Sequence, residues 1–112
     1  MATPEEMREW TAKKMGWQAT DTGNYWYENE NGVATVSLKM NWTPDIDHNQ
    51  CFMLVDRMRE LGLYLTIYTD INSYTAVFRT VDSSGRFWSA PLEINLCHAI
   101  ILAAMATEDN NG

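Results

Sequence analysis

Cys51, Leu54, Val55, Met58 and Leu61 recur three and four positions apart. That spacing is one stripe of a 3.6-residue helix, and it predicts an amphipathic helix over 49–61 ended by Gly62. The period then changes to two. Leu63, Leu65 and Ile67 fall on one side and Tyr64, Thr66 and Tyr68 on the other, which predicts a strand over 63–69. A turn at 70–73 returns the chain as a second strand over 74–80, and a further turn at 81–86 leads to a short strand near 86–90. Earlier in the chain, the aromatic run 24–28 and the alternating run 33–38 flank Asn31-Gly32, a pair suited to a tight hairpin turn. The polar stretch 18–24 before them reads as a loop.

Two more helices frame these strands. At the start, Thr3 is placed to cap, Pro4 suits the first helical position, and Glu6 completes a capping box. Met7, Trp10, Thr11 and Met15 form its apolar stripe, and Gly16 is the expected residue after the cap. At the end, Pro91 is expected to open a helix that is apolar nearly all round and so deeply buried. Residues 107–112 read as a flexible tail. The predicted order is α-β-β-α-β-β-β-α in one domain over 1–106. The class is α+β, a three-layer α/β/α sandwich. Its mainly antiparallel sheet has about five strands, with three helices covering both faces.

Composition narrows the functional classes. The chain has 112 residues and a formal net charge of −7. Its eight basic residues, from Arg8 to Arg86, are scattered, whereas contact with nucleic-acid phosphates needs them clustered. Direct nucleic-acid binding is therefore not expected. An acidic surface suits solubility and docking onto a basic partner surface. The first residues lack an apolar signal core and no run of about 18 apolar residues occurs, so a reducing, cytoplasmic setting without a membrane span is expected. The two cysteines are then expected as free thiols.

Asp45, Asp47, His48 and Cys51 form the densest group of reactive side chains. Asp45, Asp47 and Asn49 imitate the start of a calcium loop, but the sixth position is Gln50 where the bend needs glycine. The apolar helical stripe also occupies the later loop positions. Asp45 and Asp47 are instead expected at a helix start, with Asp47 capping toward Gln50. Zinc is not expected: His48 and Cys51 share a helix face, but the neighbours Cys97 and His98 diverge by about 100° on theirs. No metal and no cofactor is expected. Ser83, Ser84, His48 and Asp82 supply residue types for nucleophilic catalysis but no motif, so the chain is not expected to be an enzyme.

The aromatic inventory remains. Trp42, Tyr64, Tyr68, Tyr74, Phe87 and Trp88 lie on or beside the predicted sheet, and most are expected in the core. Where several are exposed together they form a binding patch. With Arg79 and Arg86 nearby, such a patch can stack a base and neutralise a phosphate. The candidate ligand-binding residues are therefore Trp42, Tyr64, Tyr68, Tyr74, Arg79, Arg86 and Trp88.

Three stretches carry a family resemblance: "KKMGW" at 13–17 ending the first helix, "WTPDID" at 42–47 before the central helix, and "APLEINLCHAIILAAMA" at 90–106. With these the chain resembles the small phage proteins grouped as the phage ABA sandwich domain. The family usually has an additional Ser or Thr before the Asp of the second stretch. The resemblance implies the three-layer sandwich, a phage or prophage origin and action in the host bacterial cytoplasm; it brings no assigned active site. By association with small acidic phage proteins, it implies binding to a host protein, including counter-defence by blocking an immune protein. Two alternatives stand beside it: sequestration of a small nucleotide signal in an aromatic and arginine pocket, and a cryptic hydrolase. A homo-oligomer paired through an exposed strand edge is a further expectation.

Overall fold

The computed structural model describes residues 2–19, 23, 25–28, 34–80, 85–89 and 93–109. Thr3 starts the first helix, α1 (Pro4–Lys14), by accepting from the Glu6 N–H, while the Glu6 carboxylate accepts from the Thr3 N–H. This reciprocal cap satisfies two of the amides that every helix start leaves unpaired. Gly16 leaves the helix at φ +91°, a left-handed conformation that only glycine adopts without strain.

Three strands follow: β1 (Trp17–Ala19), β2 (Tyr25–Glu28) and β3 (Ala34–Leu38). They form one antiparallel sheet in that order. β1 corrects the expected loop at 18–24: Gln18 and Ala19 pair with β2, so main-chain bonding extends past what the polar side chains suggest. The turn at Asn31-Gly32 lies outside the described residues. A short 3-10 segment (Lys39–Asn41) then leads to α2 (His48–Glu60).

The second half gives β4 (Leu63–Thr69), β5 (Tyr74–Thr80) and β6 (Phe87–Ser89), a second antiparallel sheet, and then α3 (Leu96–Asp109). The described strands are thus six in two sheets, where one sheet of about five was expected. The class is α+β with three helices. α2 and α3 pack against one face of the second sheet, where Leu54 and Met58 meet Ala76 and Phe78 of β5 and Ile100 and Ile101 of α3. Among the described residues the other face of that sheet has no helix over it, so the described helices cover one of its faces.

A second, smaller cluster sits beneath the first sheet. Ala12, Trp17, Trp26 and Trp42 are all buried there, with Trp17 and Trp42 edge to face at 4.7 Å.

α3 starts later than Pro91, which lies outside the described residues. The reason is local. Glu93 exchanges both main-chain hydrogen bonds with Tyr74, at 2.7 and 3.0 Å, so it is committed to the sheet. Asn95 then accepts from the His98 N–H at 3.1 Å and starts the helix. α3 also runs three residues into the expected tail. Thr107 is buried, and Glu108 accepts from Lys14 at 2.7 Å and from the Trp10 indole at 3.0 Å.

These two donors to Glu108 predict a pH effect. Chiefly the Lys14 hydrogen bond holds the Glu108 carboxyl below its ordinary value, against partial burial, with Trp10 assisting. A depressed carboxylate stabilises the fold fully at neutral pH, and that stabilisation is lost as pH falls below the ordinary value of 4.5. Glu108 is half exposed, so the effect is of the order of 0.2–1 kcal/mol. Glu108→Gln is expected to melt a few degrees below the parent at pH 7, with the gap closing toward pH 3. A gap that stays constant with pH rejects the assignment.

Candidate functional site

The strand pairing of the second sheet sorts its side chains between two faces. Tyr64 pairs with Arg79 and Arg79 with Phe87; Thr66 pairs with Val77 and Val77 with Ser89; Tyr68 pairs with Thr75. In a pleated sheet, directly paired residues share a face, so these eight form one surface. The alternate residues, including Leu65, Ala76, Phe78 and Trp88, point into the core. On the outer surface Tyr64, Tyr68 and Phe87 are 43%, 58% and 68% exposed. The Arg79 guanidinium donates to the Thr66 hydroxyl at 3.1 Å and has no ion pair among the described residues. Tyr68, Val77, Arg79 and Phe87, with Thr80 and Gly85 at one end, line a hollow of about 400 Å³.

The structure therefore brings together three of the seven candidate residues: Tyr64, Tyr68 and Arg79. The other four lie elsewhere. Trp42 is 2% exposed in the smaller core, and its indole N–H donates to the Thr11 hydroxyl at 2.9 Å. Tyr74 lies on the inner face, packed against the main core. Trp88 pairs with Phe78 and is 8% exposed. Arg86 lies 5.0 Å from the buried Trp88 ring, whereas Arg79 bonds Thr66 on the outer face. Phe87 and Val77 complete the outer face and were absent from the candidate list. The strand parity of Phe87 against Trp88 carries that signal, once one of the two is known to be core.

The reactive cluster at 45–51 has a structural role. Asp47 is the cap of α2, accepting from the Gln50 N–H at 3.1 Å. Asp45 does not serve the helix start. It is buried and accepts from Arg8 Nε at 2.7 Å and Nη2 at 3.1 Å, a bidentate pair that occupies both carboxylate oxygens. The hydrogen bond to Asp45 raises the Arg8 guanidinium above its ordinary value, against some burial. Gln50 closes the loop from the other side, accepting from the Thr43 N–H and donating to the Asn41 carbonyl.

His48 is exposed while Cys51 is fully buried, so the two do not line a common cleft. Ser83, Ser84 and Asp82 lie outside the described residues. Among the described residues no three His, Cys, Asp or Glu side chains converge as metal ligands, and no helix is long and apolar enough to cross a membrane.

Cys51 of α2 and Cys97 of α3 meet in the main core as free thiols. Burial pushes both thiols up from the ordinary cysteine value; at Cys51 the neighbouring Cys97 adds to the effect, while at Cys97 the hydrogen bond with Cys51 opposes it. The thiolate is the nucleophile, so both are expected to be inert at neutral pH. A disulfide-exchange reagent at pH 8 is expected to label neither cysteine in the folded protein and both in denaturant. Stoichiometric labelling within minutes under native conditions contradicts this.

Searches of the chain against protein-family models, curated proteins and solved structures find no match.

Proposed function

We propose that the protein is a non-catalytic phage or prophage accessory protein that binds a host protein through the outer face of β4, β5 and β6. The observation that carries the proposal is the exposure of Tyr64, Tyr68 and Phe87 around Arg79 on one uncovered sheet face. Tyrosine and arginine are the side chains enriched where binding energy concentrates, and a rigid sheet presents them at little entropic cost. Arg79 favours a carboxylate on the bound surface. Counter-defence in the host cytoplasm belongs to the same proposal, supported by the resemblance at 13–17, 42–47 and 90–106. So does membership of the phage ABA sandwich family, supported further by the α+β class and three helices.

A photo-crosslinking side chain at Thr75, on this face, tests the proposal against the same group at the exposed Lys13. The expected result is one host protein captured from Thr75 only, and lost with Tyr68→Ala and Phe87→Ala. Equal capture from Lys13, or capture indifferent to those substitutions, rejects the face.

The hollow beside Arg79 favours a second reading, a small nucleotide stacked on Tyr68 or Phe87 with its phosphate on Arg79. At a concentration a hundredfold above Kd, a ligand stabilises by about 2.7 kcal/mol, a rise in Tm of the order of 10 °C for this size. A rise of that kind with a cyclic nucleotide, abolished by Arg79→Ala, selects this reading over the first.

A further inference from the structure

We propose that the protein forms a two-fold symmetric dimer in which β4 pairs antiparallel with β4 of a second copy. β4 is the edge of its sheet, with β5 on one side and no strand on the other among the described residues. The direction of its free groups follows from the bonding of β5. Tyr74 exchanges main-chain bonds with Glu93, and the Thr80 N–H donates to Arg86, so the even-numbered residues of β5 face β6. The odd-numbered residues 75, 77 and 79 must then bond β4, through their partners Tyr68, Thr66 and Tyr64. The amides and carbonyls of Leu63, Leu65, Ile67 and Thr69 consequently point outward from the edge.

Natural sheet edges are guarded by charges, prolines, bulges or short length. β4 has none of these. It is seven residues long, "LYLTIYT", uncharged, and its register with β5 is unbroken. Such an edge is a ready template for another strand, and the order of its side chains identifies which. It is nearly palindromic about Thr66: Tyr64 mirrors Tyr68, Leu65 mirrors Ile67, and Leu63 mirrors Thr69. A two-fold axis at Thr66 therefore sets Tyr64 against Tyr68 and Leu65 against Ile67, with only the end pair Leu63 and Thr69 unlike, and makes the two edges self-complementary as an interface between identical surfaces requires.

That register also pairs all four outward-facing residues, 63 with 69 and 65 with 67, in hydrogen-bonding positions. Tyr64 lies directly across from Tyr68 of the second copy, at a Cβ separation of about 5 Å. The hollow of about 540 Å³ between α2 and the edge, lined by Phe52, Val55, Leu65 and Ile67, is closed by the second copy. In this register Asp70, just past the end of β4, falls opposite Gly62 of the second copy, within a helical turn of Arg59, which pairs with Asp56 at 3.2 Å and lines the same hollow. The two sheets become one of six strands, and the two outer faces join into one surface.

Sedimentation equilibrium from 1 to 100 μM is expected to give twice the 12.9 kDa chain mass. Thr66→Glu leaves a carboxylate beside Arg79 within one copy but sets two carboxylates against each other at the axis. It is expected to weaken the dimer at least about tenfold with Tm at low concentration unchanged. Thr66→Cys places two thiols about 4.5 Å apart by Cα, within disulfide reach. It is expected to give a covalent dimer under mild oxidation, while Thr75→Cys does not. A monomer at 100 μM, a dimer indifferent to Thr66→Glu, or crosslinking no faster at 66 than at 75 each overturns the proposal. Because the host-protein assay uses other variants, either proposal can fail without the other.

Discussion

Arg8→Ala is expected to lower the stability of the protein by about 3 kcal/mol, a large share of the 5–15 kcal/mol typical of a domain. Asp45 is 2% exposed, and its two oxygens accept from Arg8 at 2.7 and 3.1 Å. Removing the guanidinium leaves a buried carboxylate without its partner, and that orphaned charge is the main cost. The Arg8 side chain is itself one-third exposed, which places the loss at the low end of the range for buried pairs. Asp45→Ala costs less, because the arginine it releases can turn to water. The double variant Arg8→Ala with Asp45→Ala is expected to lose clearly less than the sum of the two single losses, because neither charge is left behind. Urea denaturation of the four proteins measures the difference. Additive losses, or a change below about 0.5 kcal/mol for Arg8→Ala, reject the pair as a structural element. With both oxygens of Asp45 engaged, calcium at millimolar concentration is expected to leave Tm unchanged.

How much of this was legible in the chain depended on the range of the interaction. The cap at Thr3, the cap at Asp47 and the stripe through Leu54 and Met58 are set within four residues, and the sequence pattern displays them. The two faces of β4 are likewise visible as an alternation. What pattern alone does not reveal is which elements meet. Asp45 and Arg8 are 37 positions apart, and a buried bidentate pair leaves no periodic trace. The role of Asp45 as a helix-start charge was therefore the natural reading and the wrong one. β1 was missed because three residues with one buried side chain make no recognisable alternation. The start of α3 was misplaced because Pro91 is a strong local signal, while the bridge from Glu93 to Tyr74 is a tertiary one. The candidate site suffered in the same way. Alternation separates Tyr64 and Tyr68 from Leu65, but only the register with β5 and β6 brings Arg79 and Phe87 to the tyrosines.

Trp42 carries the second large expected effect, and it separates a core residue from a binding one. Trp42→Ala is expected to cost about 3–5 kcal/mol, the range for removing a buried aromatic ring. Trp42→Phe keeps most of the contact with Trp17 but removes the donor to Thr11, whose hydroxyl already donates to the Arg8 carbonyl at 3.0 Å. Its cost is expected to be about 1–2 kcal/mol, that of one buried polar contact with a little lost packing. Both losses act on the seating of one loop. Residues 41–47 attach to α1 at two points a single helical turn apart, Trp42 on Thr11 and Asp45 on Arg8, so the former cluster of reactive side chains works as a latch between the two cores. Trp42 and Arg8 variants are therefore expected to be non-additive, since releasing one anchor loosens the other. The contrast with the outer face is direct. At a temperature where Trp42→Ala remains folded, its affinity for the proposed host protein is expected to equal that of the parent. Tyr68→Ala is expected to lose affinity at least tenfold, the scale of one hot-spot residue, while Tm moves by only a degree or two. The reverse result, lost binding in Trp42→Ala with Tm unchanged, would return Trp42 to the binding surface and dissolve the latch.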